Sequence, residues 1–152
     1  MPTPPPLQVH ELAIAITPED MPDDRYATHV NNARYFSFIN RTFQSWYRQM
    51  GLRGGNASFR AVMAHCGYDF LREVFYPGQV LCRITVVNAG RASLEHRVAM
   101  WDMRAEPVLA GRGKVVHVGI DPVSRRSMAW PQTLLAQCWS ADRPVPDPET
   151  PP

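Results

Sequence analysis

Residues 9–16 alternate, with His10, Leu12, Ile14 and Ile16 on one side, and this period of two predicts a strand. Residues 17–31 carry Pro18, Pro22 and a cluster of acids, which predicts a loop. The period then changes. Tyr35, Phe38, Ile39, Thr42, Trp46 and Met50 recur at helical spacing, with Phe36, Phe43 and Tyr47 widening the apolar arc and Arg34, Arg41 and Arg48 forming a narrow polar stripe. Asn31 or Asn32 supplies a cap and Gly51 a stop, so a helix is expected over about 32–50. A helix this apolar must be largely enclosed. After Gly55 the chain returns to alternation, with strands expected at 62–74, 79–88, 93–103 and 108–121 and turns at Tyr76-Pro77-Gly78 and Asn88-Ala89-Gly90-Arg91. Gly111 and Gly113, inside the last strand, imply the close approach of another backbone. A short helix from about Pro131 to Trp139 closes the pattern. The order of strand, long helix and four strands is satisfied by one sheet wrapped around one helix, an α+β layout.

Nine of the 15 prolines stand at the two ends of the 152 residues. They divide the chain into a flexible Pro-rich start (1–8), a folded body (9–140) and a tail (141–152) expected to be disordered or polyproline-like. A single domain of this size, 45% apolar, can bury a core without a staple. The formal charge is only +2, and the 15 arginines and Lys114 are scattered, so no nucleic-acid stripe is expected. Cys66, Cys82 and Cys138 are odd in number and lack metal-ligand spacing, so neither a disulfide framework nor a metal site is expected. Cys66 and Cys82 lie in apolar runs and fit buried thiols. There is no signal-peptide pattern and no run long enough for a membrane span, which makes the cytoplasm the expected compartment.

Candidate chemistry gathers at His29-Val30-Asn31-Asn32, where an acid-bearing loop meets a helix N-terminus. Free backbone N–H groups and the positive end of the helix dipole can hold an oxyanion there. A carboxylate beside them, from Asp20, Asp23 or Asp24, can attack a thioester or activate water. His65, His96 and His117 lie on strands and fit hydrogen-bonded sheet residues better than catalysts.

His29-Val30-Asn31-Asn32 followed by Tyr35 resembles the D-x-D-x-x-G-H-V-N-N-x-x-Y motif of the 4-hydroxybenzoyl-CoA thioesterase-like family. The resemblance continues through Asp69-Phe70-Leu71-Arg72-Glu73-Val74, Tyr76-Pro77-Gly78, Gly90-Arg91-Ala92-Ser93-Leu94 and Gly111 to Val116, and spans about 9–138. It implies a hotdog fold, with an antiparallel sheet of five or more strands around one long central helix. It also implies a homodimer or homotetramer with sites at the dimer interface, cleaving acyl-CoA with no cofactor beyond the coenzyme A of the substrate. The implied catalytic set is Asp24, with Asp23 and Asp20 as rivals, together with His29 and Asn31. Asn32, Ala33 and Tyr35 are the implied substrate-binding residues.

The chain departs from the motif at one decisive place. The usual catalytic Asp, four residues before the His, is Arg25 here, and the Gly before the His is Thr28. An insertion of about three residues after Thr17-Pro18-Glu19-Asp20 would bring Asp24 into the role. The alternative is a non-catalytic hotdog protein that binds acyl thioesters. A hotdog dehydratase or hydratase is disfavoured by the HVNN element before the helix.

Overall fold

The computed structural model describes residues 5–22, 28–52 and 56–152. Seven elements follow in chain order: β1 (Val9–Ala15), α1 (Asn32–Gln49), β2 (Arg60–Phe70), β3 (Gln79–Ala89), β4 (Ser93–Asp102), β5 (Val108–Ile120) and α2 (Gln132–Cys138), with a single 3₁₀ turn at Pro18–Asp20. The five strands form one sheet in the order β1-β3-β4-β5-β2, and every pairing is antiparallel. This is the hotdog layout, and it places β1 and β2 at the edges.

The helix lies on one face of the sheet because its apolar stripe matches the alternating face beneath it. Tyr35, Phe38, Ile39, Phe43 and Trp46 are buried in one cluster with Cys82, Ile84 and Val86 of β3, Leu94, Val98 and Met100 of β4 and Val115 of β5. Full burial of a Phe or Ile side chain stabilises by about 1.5–3 kcal/mol, so this stripe fixes the rotation of α1 about its own axis. The exposed side of α1 is wider than the three arginines and includes Phe36, 40% exposed.

Gly111 and Gly113 meet the expectation of close approach. A Cβ on Gly111 would collide with the Tyr68 hydroxyl, and one on Gly113 with the Gly67 carbonyl. Tyr68 of β2 therefore lies flat over Gly111 and stacks on Tyr35 of α1, with ring centroids 5.4 Å apart. The inserted phenol ties the edge strand to the first turn of the helix.

β2 ends at Phe70 rather than at 74, the expected limit. The Leu71 and Arg72 N–H groups both donate to the Ala110 carbonyl, at 2.9 and 3.0 Å, and the chain leaves the ladder. It then pairs with the loop ahead of α1: Val30 N–H donates to Val74 O at 2.8 Å, Tyr76 N–H donates to Thr28 O at 3.1 Å, and His29 bridges Phe75. Alternation cannot distinguish a ladder partner in the sheet from one in a loop.

The described residues at the two Pro-rich ends make specific contacts with the folded body. Residues 1–4 lie outside the described part, but Leu7 pairs through its N–H with Gln137 O at 3.0 Å, and its carbonyl accepts from Trp46 Nε1 at 2.8 Å. Gln8 is buried. The tail, expected to be disordered, lies across the sheet face opposite α1. There the Arg83 guanidinium donates to the carbonyls of Pro148 and Thr150, and Arg112 pairs with Glu149 at 2.9 Å. Ala99 and Trp101 belong to that face and are 0% and 1% exposed. Each proline in the tail lacks an N–H to spend on a ladder, yet the segment's carbonyls remain good acceptors for arginine.

Candidate active site

Asn31 caps α1, its Oδ1 accepting from Ala33 N–H at 3.1 Å, and its own N–H donates to the Asp20 carbonyl at 2.8 Å. The cap therefore fixes both the start of the helix and the distance to the acid-bearing loop. Arg34, one turn on, donates to the Glu19 carbonyl at 2.8 Å. The result is a braced junction in which the preceding turn is held from two sides.

Beside this junction opens a cavity of about 260 Å³, lined by His29, Val30, Asn32 and Tyr35 from the helix start and by Phe70 to Glu73 from the end of β2. His29 is half-buried, Asn32 is exposed and Tyr35 is buried. Burial pushes the Tyr35 phenol above its ordinary pKa, partly offset by its hydrogen bond to the Val74 backbone. Tyr35, Tyr68 and Phe70 pack together, with Tyr35–Phe70 and Tyr68–Phe70 centroids at 5.2 and 4.9 Å, so one wall is aromatic.

The sequence-predicted residues separate into groups. His29, Asn32 and Tyr35 converge on the cavity, while Asn31 and Ala33 are joined in the cap. Asp20 is 9% exposed, and its Oδ2 accepts from Thr17 N–H at 2.8 Å and from Thr17 Oγ1 at 3.2 Å. Its Oδ1 lies 3.9 Å from Arg34 Nε. These contacts make Asp20 a brace of the turn. Asp23, Asp24 and Arg25 lie outside the described residues. Sequence reasoning gave no role to Phe70, Leu71, Arg72 and Glu73, although the DFLREV stretch was visible. Glu73 brings a carboxylate to the cavity wall, and only the departure of the chain from the ladder puts it there. Among the described residues, no group of three His, Cys, Asp or Glu side chains could hold a metal ion.

His96 and His117 stand apart from the cavity, beneath the second half of α1. His96 is 0% exposed and His117 4%. His96 packs edge-on against Phe43 and Trp46, with centroids at 4.8 and 4.7 Å, and both of its ring nitrogens lack a partner. These are core histidines surrounded by aromatic rings rather than the hydrogen-bonded sheet residues expected. Burial depresses both pKa values, that of His117 to about 4.

Residues 16–138 match the thioesterase-like superfamily, and the chain belongs to that family. Solved structures share its fold. One is a 1,4-dihydroxy-2-naphthoyl-CoA thioesterase from Synechocystis, with 18% identity and a TM-score of 0.74 over 90% of this chain and 99% of that one. A second is a Staphylococcus aureus protein solved with CoA, with 17% identity and a TM-score of 0.76 over 86% and 81%. A third is a 4-hydroxybenzoyl-CoA thioesterase variant bound to 4-hydroxybenzoyl-CoA, with 14% identity and a TM-score of 0.73 over 87% and 99%. No curated protein matches by sequence.

Proposed function

We propose that the protein hydrolyses an acyl-CoA, or an acyl group on a carrier, to the free acid and thiol, and that it does so as a homodimer or homotetramer. The observation that carries this reading is the capped N-terminus of α1 opening, with His29 and Asn32, into a cavity walled by Tyr35 and Phe70. The thioester carbonyl oxygen would lie against the first turn of the helix. Asn31 already occupies the Ala33 N–H, so the Asn32 N–H is the proposed oxyanion donor. An oxyanion gains more from that dipole than the neutral carbonyl does, and this difference lowers the barrier. Asp24, or failing it Asp23, serves as base or nucleophile, with His29 orienting it or the water; Asp20, the third rival, takes that role only by releasing its contacts to Thr17. Tyr35 and Phe70 receive the acyl group. No cofactor beyond the substrate's own coenzyme A is required.

Oligomerisation is supported by where the exposed apolar side chains fall. Val62, Met63, Phe70 and Leu71, 39–44% exposed, run along and just beyond edge strand β2, and Phe75 and Tyr76, also exposed, follow in the chain. An open apolar edge is a pairing surface. No described helix is long and apolar enough to cross a membrane, in keeping with the proposed cytoplasmic site of action.

The test is thiol release from a panel of acyl-CoAs, with Asp20→Asn, Asp23→Asn and Asp24→Asn assayed singly after a folding check. Loss of a positioned base costs about 10²–10⁴-fold. If all three variants retain near-full activity, the acid assignment fails. Arg25 at the usual Asp position favours a second reading, a non-catalytic acyl-thioester binder. Tight binding without thiol release on any substrate would establish that reading.

A further inference from the structure

The face of the sheet turned away from α1 carries an ordered pattern of charge. One row across all five strands runs Glu11, Arg83, Ala99, Arg112, Asp69, each residue in register with the next. The adjoining row runs Thr85, Arg97, Lys114, Gly67. Cations therefore surround Ala99, and acids stand at the edges. Arg97 and Lys114 are direct cross-strand neighbours, a like-charge pairing that costs stability unless an anion answers it. Glu95 answers only at a distance, 3.7 Å from each.

The tail covers part of this face and leaves part of it open. Arg83, 9% exposed at its side chain, is stacked on Trp101 at 4.5 Å, paired with Glu11 at 2.7 Å and donating to tail carbonyls, so it is fully engaged. Beside it lies a cavity of about 590 Å³ onto which Arg97, Arg112 and Lys114 converge. Gly67, also lining it, adds no side chain to the floor, and Asp69 and Glu149 are the acids in its lining. The three cationic side chains remain 52%, 50% and 44% exposed. The tail contributes one carboxylate, Glu149, and it reaches Arg112 alone.

We propose that this cavity is a binding site for a small, multiply charged phosphate, namely a pyrophosphate-bearing molecule, and that Glu149 is a built-in occupant that the ligand displaces. Glu149 reaches Arg112 alone and Glu95 reaches Arg97 and Lys114 only at 3.7 Å, whereas a pyrophosphate offers oxygens to all three, and charge-assisted contacts of this kind are the strong ones. The cations belong to the face opposite His29 and Asn32, so this site is independent of the thioester chemistry proposed above. Displacing Glu149 loosens the tail that holds Arg83, which stacks on Trp101, and couples occupancy of the site to an optical signal.

The experiment is calorimetric titration of the full-length protein with inorganic pyrophosphate at low salt, repeated with Lys114→Gln, Arg97→Gln and Glu149→Gln. Wild type is expected to bind, the two cation variants to bind about tenfold more weakly, and Glu149→Gln about three- to tenfold more tightly. Tryptophan emission should change on binding, and that change should vanish in Trp101→Phe. Titration with ADP identifies the source: tighter binding than pyrophosphate means a nucleotide, and equal binding means the free anion. Unchanged affinity in both cation variants overturns the proposal. So does weaker binding by Glu149→Gln, or no binding by wild type and Glu149→Gln at millimolar pyrophosphate.

Discussion

At the scale of single residues, the sequence disclosed chemistry that is local and concealed chemistry that depends on a distant neighbour. Asn31 was legible because a cap acts on the residue two positions away. Replacing it with Ala should destabilise the protein by about 1 kcal/mol, and urea denaturation would detect this as a lower midpoint at unchanged slope. Glu73 was not legible as a site residue, because what brings it to the cavity is a pairing between residues 28–30 and 74–76. The His96–His117 pair was misjudged for a related reason: alternation assigns a side chain to a face and says nothing of hydrogen-bond partners. Both histidines are held neutral, with folded pKa values below the unfolded value of about 6.5. The unfolded chain therefore binds more protons on acidification, and the stability that neutral burial provides is present above pH ~6.5 and lost as pH falls toward the folded values. The melting temperature should decline from pH 6.5 through 4, and His117→Phe should flatten that limb. A profile unchanged by the substitution would show that other groups set it.

At the scale of elements, the long helix and the strands were legible because each has one dry face and a clean period. What the pattern could not supply was the fate of segments without a period. The tail has the composition of a solvated chain, yet Arg83 and Arg112 anchor it across Ala99. The two anchors sit on strands more than 30 residues upstream, invisible to any reading of the tail itself. Removing residues 143–152 takes their tail partners from Arg83 and Arg112 and should lower the melting temperature by several degrees, about 2–4 °C for each kcal/mol lost. An unchanged melting temperature would mean that the tail rests on the sheet without stabilising it. Gly111 is an element-scale residue too, since it admits Tyr68 beneath Tyr35. Gly111→Ala should cost about 1–3 kcal/mol by overpacking and should disturb thioester turnover at the same time.

At the scale of the whole molecule, β2 is one of the two edges of the sheet. Its outer edge has no strand partner among the described residues, and Met63 and Phe70 are 41% and 44% exposed there. Met63→Asp should shift the protein toward a 17.2 kDa monomer in sedimentation and reduce turnover with it. Turnover that persists in a monomer would place the complete site within one chain. The clasp between residues 28–30 and 74–76 has a consequence for the order in which the molecule comes apart. It consists of two backbone hydrogen bonds and a bridge, outside the main ladders, between segments more than 40 positions apart. Of the six clasp residues only Val30 and Val74 belong to the buried cluster, and the rest of that cluster packs α1 on the sheet without them. On heating, the clasp should therefore open as a local event before the cooperative loss of the sheet. The cavity beside the helix start depends on that clasp for both of its walls. Inactivation should thus precede melting, with thiol release falling several degrees below the temperature at which far-ultraviolet ellipticity collapses, and with recovery on cooling as long as the sheet has not yet given way.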